Sequence, residues 1–359
     1  MDVSKVITMS IASPEQNIEF KQIASLGDQN YPSFELSLIL KRLKRQGQTA
    51  WCEHLEKELE LDILLNEPFI PSHIALDGLS RVVEDQFLIG LGIHVASEYS
   101  LANFGILGTA FRHAPSLYDA LEISHSYYEL LGSFTDLTII QDQEELTHRL
   151  VNVSGLSERL LHMIFELTIG GMQAVSREIT GSPVKTRALK FVLKLTEADK
   201  AFYRSHFDCE IEDDAKFNEW VVDLAHLKQE LTYAYRAKHE LKDSIEQLNQ
   251  LMQTLKDEFA LVNKFDRLVR NDGDSYPNSK AIAEAMCMSE RTFRRKLGKI
   301  GLNYNTLMGK IRCQIAIAML QQGDFTNEDI AFELGFSDAA NFCNAFKKWT
   351  KQTPNFYRP

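Results

Sequence analysis

The spacing of apolar residues changes twice along the chain. Over residues 1–225 helix-like and strand-like runs alternate. Residues 116–130 read as a helix, with Ser116 placed to cap it and Leu117, Ala120, Leu121, Ser124 and Tyr128 at helical spacing. Residues 134–140 and 146–153 are β-rich and predict a strand pair, with the polar run 141–145 as its turn. Residues 157–180 predict a long helix with a weak point at Gly170-Gly171. A strand over 189–195, a short helix over 197–207 and a last strand over 218–223 follow. Mixed elements of this kind predict an α+β domain.

A different pattern follows. Leu241, Ile245, Leu248, Met252, Leu255, Phe259 and Val262 recur at alternating steps of four and three, with charged and amide residues between them. This narrow heptad stripe allows two readings, an amphipathic helix packed on its own domain or a helix that pairs with a second copy. Gly273 and Pro277 then break the helix.

The last part of the chain carries two similar helical units. In the first, Ile282, Ala283 and Met286 line one helix, Met288-Ser289 makes a turn, and Ser289 caps a second helix. That helix buries Phe293 and Leu297 and exposes Arg291, Arg294, Arg295, Lys296 and Lys299. In the second unit, Ile330, Ala331 and Leu334 precede Gly335, a residue suited to a left-handed exit from a helix. Ser337 or Asp338 then caps a helix with Phe342, Phe346 and Trp349 on its inner face and Asn341, Asn344, Lys347 and Lys348 outside. Residues 304–322 form the connecting helix, with Ile311, Ile315, Ala318 and Met319 as its apolar positions. Its length of about 28 Å is close to one turn of duplex DNA. A capped basic helix behind a tight turn is a helix-turn-helix, whose second helix enters the major groove. Arginine suits base reading because its fork bonds guanine O6 and N7 together.

Charge changes meaning once it is localised. The whole chain of 359 residues carries a formal −11, which by itself argues against nucleic acid. From residue 272 onward twelve Lys and Arg face nine Asp and Glu, a net +3, so the remainder holds −14. A phosphate backbone senses the nearby face. The five cysteines are far apart, with no Cys-x-x-Cys, so neither a disulfide framework nor a zinc ribbon is expected. No apolar run approaches a membrane span, and the short apolar stretch near the start lacks the form of a secretory leader. A cytoplasmic protein with no membrane partner is expected.

Specific strings then identify a family. Ser-Glu-Arg-Thr-Phe-Arg-Arg-Lys-Leu (289–297), Ile-Arg-Cys-Gln-Ile-Ala (311–316), Asp-Ile-Ala-Phe-Glu-Leu-Gly-Phe-Ser-Asp (329–338) and the ending Phe-Lys-Lys-Trp-Thr-Lys-Gln-Thr-Pro-Asn-Phe-Tyr-Arg (346–358) closely resemble the AraC family of bacterial transcription regulators. More weakly, Gly-Leu-Gly (90–92), Gly-Ile-Leu-Gly (105–108), Pro-Ser-Leu-Tyr-Asp-Ala-Leu (115–121), Leu-Lys-Phe (189–191) and Phe-Tyr-Arg-Ser-His-Phe (202–207) resemble the arabinose-binding-type effector domain of one branch. The resemblance implies an α+β effector-sensing domain (1–225) and an all-α DNA-binding domain with two helix-turn-helix units (272–359), joined by a helical linker (226–271) whose stripe keeps both readings, dimerisation among them. The partners implied are double-stranded promoter DNA, a small-molecule effector, a second copy of the chain and, for an activator, RNA polymerase.

Carried over residue by residue, the resemblance places Arg291, Arg294 and Arg295 at base edges and Thr292, Lys296 and Lys299 at phosphates. The second unit departs from the pattern, with Asn344 where many members have arginine and Ala339-Ala340 where larger polar residues often read bases. It is expected to read fewer bases, through Asn341 and Asn344, with Lys347 and Lys348 on phosphate. Phe104, Tyr127, Tyr128 and Phe134 are the candidate effector contacts. No dinucleotide fingerprint is complete, since Val95 stands where a third small residue belongs. Walker, Gly-x-Ser-x-Gly and His-Glu-x-x-His motifs are absent from the sequence. The ten histidines are scattered, His113 and His125 being the nearest useful pair, and read as structural or surface residues. No enzyme, cofactor or metal is expected. Two alternatives stay open: a small-molecule-binding module in its own right, or an interaction adaptor with vestigial DNA units.

Overall fold

The computed structural model describes residues 19–20, 30–66, 69–127, 130–132, 134–152, 156–231, 238–258, 261, 265, 268–269, 276–299, 303–350 and 352–358. Eight strands fall within them: β1 (Glu19–Phe20), β2 (Asn30–Pro32), β3 (Phe69–Pro71), β4 (Asp136–Gln141), β5 (Glu145–Val151), β6 (Thr186–Lys190), β7 (Glu210–Glu212) and β8 (Asn218–Asp223). Six of them make one sheet in the order β1-β4-β5-β8-β6-β7, while β2 and β3 pair separately. The β4–β5 hairpin closes because the Asp142 carboxylate accepts from the backbone N–H groups of Glu144 and Glu145, both at 2.8 Å. Those bonds also hold the Asp142 carboxyl below its usual range. Along β5 burial alternates, so Leu146, His148 and Leu150 enter the core while Thr147 and Arg149 stand on the other face.

Up to residue 227 the chain also contains α1 (Ser33–Arg45), α2 (Thr49–Glu58), α3 (Leu61–Leu64), α4 (Ser72–Asp85), α5 (Leu91–Ala96), α6 (Gly105–Arg112), α7 (Leu117–Ser126), α8 (Glu158–Thr180), α9 (Glu197–Phe207) and α10 (Leu224–Leu227). Ser116 caps α7 as expected, accepting from Asp119 N at 3.1 Å. The helix stops at Ser126, short of residue 130. Helix α8 runs unbroken through Gly170-Gly171. Those glycines are not a weak point but a place of close approach: a Cβ on Gly170 would stand 2.7 Å from the Cβ of Ala96 on α5. The expected strand over 189–195 is displaced to β6. Beyond Lys190 the chain turns away, and Phe191 and Leu195 are buried as core residues of a loop.

The heptad stripe folds as α11 (Lys238–Glu258). It packs against α6. Leu241, Leu248 and Met252 are 4%, 0% and 9% exposed and belong to the core of the N-terminal domain, with Ile245 half-buried beside them. Of the two readings of the stripe, packing on its own domain is the one found over this stretch. Pairing with a second copy would first have to pull those three side chains out of the core. The side chain of Leu255, and Phe259 and Val262, lie outside the described residues.

Five helices follow: α12 (Ser279–Ala285), α13 (Glu290–Lys299), α14 (Tyr304–Gln322), α15 (Asn327–Glu333) and α16 (Ala339–Thr350). Two cores divide them. Leu307, Met308 and Ile311 of α14 join Ile282, Phe293 and Leu297, while Cys313, Ala316, Ile317 and Leu320 join Ile330, Phe342 and Phe346. Helix α14 is therefore buried on more than one side, and a single apolar stripe understates it. Phe265 and Val269, inside the linker of the sequence reading, pack into the first of these cores, with the Phe265 ring 6.0 Å from that of Phe293. No helix of the described residues is long and apolar enough to cross a membrane.

Candidate nucleic-acid interface

Both units turn in the same way. In the first, Met288 N donates to Ala283 O at 3.0 Å, with Cys287 in the left-handed region at φ +57°. In the second, Phe336 N donates to Ala331 O at 2.8 Å, with Gly335 at φ +70°. Left-handed backbone disfavours a side chain, so Cys287 gave no sequence signal while Gly335 did. Each turn presents one helix at a fixed angle to the helix before it.

On α13 the buried Phe293 and Leu297 fix which side faces out, and Arg291, Arg294, Arg295 and Lys296 are exposed. Ser289 caps the helix, its hydroxyl accepting from Thr292 N at 3.2 Å, and the two hydroxyls lie 2.9 Å apart. Arg294 is paired one turn back with Glu290 at 2.6 Å, and that bond holds the Glu290 carboxyl below its usual range. Arg291 and Arg295 have no ion-pair partner among the described residues. The Lys299 side chain lies outside them.

The second unit is built differently. Asp338 is the cap, accepting from Asn341 N at 2.7 Å. The Asn341 side-chain amide turns back as well, donating to Ser337 Oγ at 2.8 Å and Asp338 Oδ2 at 2.9 Å. Asn341 is exposed but committed to the cap. Asn344, Lys347 and Lys348 are exposed on α16, and Trp349, expected on the inner face, is half-buried. The guanidinium of Arg312 on α14 lies 4.4 Å from the Tyr276 ring centroid and 5.2 Å from that of Phe336, tying the connecting helix to the second turn.

A cavity of about 140 Å³ lies in the N-terminal domain, walled by residues of α1, α6, α7, α8 and the segment before β4. Phe104 and Phe134 line it, as expected. Tyr127 is not among the lining residues and donates to Asn249 of α11 at 3.0 Å. Tyr128 lies outside the described residues. The sequence reading missed Tyr31, Glu35, Tyr99 and His125, all of which line the cavity. The Tyr31 ring stacks on Phe134 at 5.0 Å and its hydroxyl donates to Glu35. Burial pushes the Glu35 carboxyl up to about 7, against the opposing hydrogen bond of Tyr31. One signal was present: Glu35 is four residues before Ile39, at the edge of the Leu36, Ile39, Leu40 and Leu43 stripe of α1.

His125 does not sit in a metal-like neighbourhood. Its ring lies 5.4 Å from that of His148, and burial pushes His148 down to about 3. No group of three or more potential ligands able to hold a metal occurs among the described residues. The motif Gly90-Leu-Gly92 serves structure: both glycine backbone N–H groups donate to the buried Glu166 carboxylate, at 2.6 and 2.9 Å.

Residues 89–231 match a family model described as the arabinose-binding domain of AraC transcription regulators, N-terminal, and residues 282–359 match a helix-turn-helix domain. An uncharacterised HTH-type transcriptional regulator of Mycobacterium tuberculosis is 26% identical over 296 residues, spanning 78% of this chain and 80% of that protein. The ornithine utilization regulator of Pseudomonas aeruginosa is 24% identical over 268 residues, spanning 75% and 78%. The crystal structure of the transcriptional regulator CdpR from P. aeruginosa aligns with a TM-score of 0.40 at 19% identity, covering 85% of this chain and 98% of that one.

Proposed function

Taking as premise that this chain belongs to the AraC family of transcription regulators, a non-enzymatic family, with an arabinose-binding-type N-terminal domain and a helix-turn-helix C-terminal domain, we propose that it activates transcription under control of a small molecule. DNA binding belongs to the family's C-terminal domain. The finer reading is that α13 enters one major groove and α16 the next, with RNA polymerase as the partner that activation requires. The observation that carries it is the outer face of α13, where Arg291 and Arg295 are exposed and without ion-pair partners among the described residues. Arg294 reaches a base by exchanging Glu290 for it, and Lys296 and Lys299 lie on phosphate. The second unit contributes less specificity, because Asn341 is held in its cap and the side chains of Ala339 and Ala340 have no donors to offer. Asn344 is its remaining reader, with Lys347 and Lys348 on phosphate. Effector binding shifts the presentation of the two units by no more than its differential affinity for their two arrangements.

Selection of sites from a random duplex pool by the full chain tests this reading. An enriched motif with one dominant half-site is expected. No enrichment, or equal information in both half-sites, would count against the regulator reading and the asymmetry respectively. A run-off transcription assay on a selected promoter then reads the sign of regulation. A second copy of the chain remains part of the proposal. It is tested by sedimentation of the full chain, and Leu241, Leu248 and Met252 are not offered as its seam.

A further inference from the structure

The sensor cavity has a polarity that narrows its ligand, provided that this cavity is the effector site of the regulator proposed above. We propose that the effector is a compact, largely apolar molecule carrying one ammonium group, which pairs with Glu35. Three observations point the same way. The first is size. A cavity of about 140 Å³ walled by Phe104, Phe134, Leu121 and Met172 is comparable with apolar cavities of about 150 Å³ that accept benzene. The second is charge. Among the described residues, Glu35 is the one carboxyl in the lining, and no lysine or arginine lines it. A carboxylate ligand would bring a second negative charge into a poorly solvated space that lacks a fixed positive charge.

The third is hydrogen-bond polarity. The hydroxyls of Ser124, Thr168 and Ser176 already donate to the carbonyls of Leu121, Ile164 and Ser182, at 2.7, 2.8 and 2.9 Å. What these three still offer a ligand is acceptor lone pairs, and Glu35 offers the same once ionised, while Tyr99 and His125 are the lining groups able to donate. The Tyr31 hydroxyl steadies the carboxylate, and the stacked Tyr31 and Phe134 rings supply π faces beside a cation. A carboxyl pushed up by burial is drawn into its ionised form by an arriving ammonium, so ligand charge and Glu35 charge appear together.

Calorimetric titration of the full chain tests this with benzylamine, benzyl alcohol and phenylacetate as probes, on the wild type and on Glu35→Gln and Glu35→Asp. Circular dichroism confirms that each variant is folded. The expected result is that benzylamine binds best, loses about tenfold or more in Glu35→Gln, and recovers part of that loss in Glu35→Asp. Phenylacetate binding as tightly as benzylamine, benzylamine affinity unchanged in Glu35→Gln, or no binding of benzylamine to the folded wild type would each overturn the ammonium assignment. Phenylacetate binding that alters affinity for a selected duplex would remove the charge class while leaving the cavity as the effector site. A protein that binds benzylamine as expected yet selects no duplex would instead remove the regulator reading.

Discussion

The hydroxyl of Tyr357 donates to the main-chain carbonyl of Asn152 at 3.1 Å, joining the last turn of the helix-turn-helix domain to the end of β5 in the N-terminal domain. The contact is not isolated. Phe217, just before β8, lies 5.4 Å from the Phe356 ring, and Lys216 donates to the Arg358 carbonyl at 2.5 Å. Arg358 in turn donates to Phe325 O at 2.6 Å and Asn327 Oδ1 at 2.9 Å, so the chain end is clipped to the second unit while it touches the sheet. Tyr357→Phe is expected to cost about 0.5–1.5 kcal/mol through the lost bond. Phe217→Ala should cost more, about 3 kcal/mol, through lost burial. Chemical denaturation of the full chain measures both, and wild-type stability in both variants would show that this contact holds nothing.

Arg295→Ala and Arg291→Ala are each expected to weaken selected-duplex binding by about 1–3 kcal/mol and to relax preference at one base position. Asn341→Ala should behave otherwise. Its amide belongs to the α16 cap, so the melting temperature should fall while sequence preference stays the same. A competition assay across single-base variants of the duplex separates the two, and a lost base preference in Asn341→Ala would return that residue to the readers.

Glu290 places a carboxylate in the first turn of α13 and holds Arg294 at 2.6 Å. Exposed pairs of this spacing are worth about 0.3–0.5 kcal/mol, so DNA can displace Glu290 at small cost. Glu290→Gln should therefore raise duplex affinity. The gain should shrink as salt screens repulsion between the carboxylate and phosphate. Titrations at low and high salt check this, and an affinity that falls at low salt would argue for Glu290 as a positioning residue.

Glu35 should make stability depend on pH. Its carboxyl is pushed up from the ordinary 4.5 to about 7 in the folded protein, so the folded state holds the proton more tightly than the unfolded chain. Its favourable contribution is full below about pH 4.5 and is lost as pH rises through about 7. Glu35→Gln cannot ionise. The stability of the variant relative to wild type should therefore improve by about 1–3 kcal/mol between pH 4.5 and pH 8. Melting curves across that range check the sign, and a difference that is flat with pH would place Glu35 in contact with solvent.

Legibility in the sequence followed how local each feature is. Helix α9 and strand β8 occupy the expected residues, α9 because Thr196 and Asp199 form a capping box at its start and Asp208 ends it in a left-handed turn. The helix-turn-helix units were legible for the same reason: a cap, a turn and one buried face lie within twenty or so residues. Residues 189–195 misled because apolar content signals burial, whereas strand pairing belongs to Thr186–Lys190 opposite β8. Helix α14 misled in the opposite way, since two cores share it and no single stripe marks its inner side.

By itself the sequence determined the class of each element, the paired turns, the basic face of α13 and the family, because these depend on residues a few positions apart. The tertiary structure decided which surfaces meet. It turned the α11 stripe into core of the N-terminal domain and committed Asn341 to its own cap. It also brought Tyr31 and Glu35 of the α1 region against Phe134 and placed the chain end on β5. Those outcomes rest on contacts between residues far apart in the chain, where burial and hydrogen-bond satisfaction are settled jointly, and no periodicity along one segment encodes them.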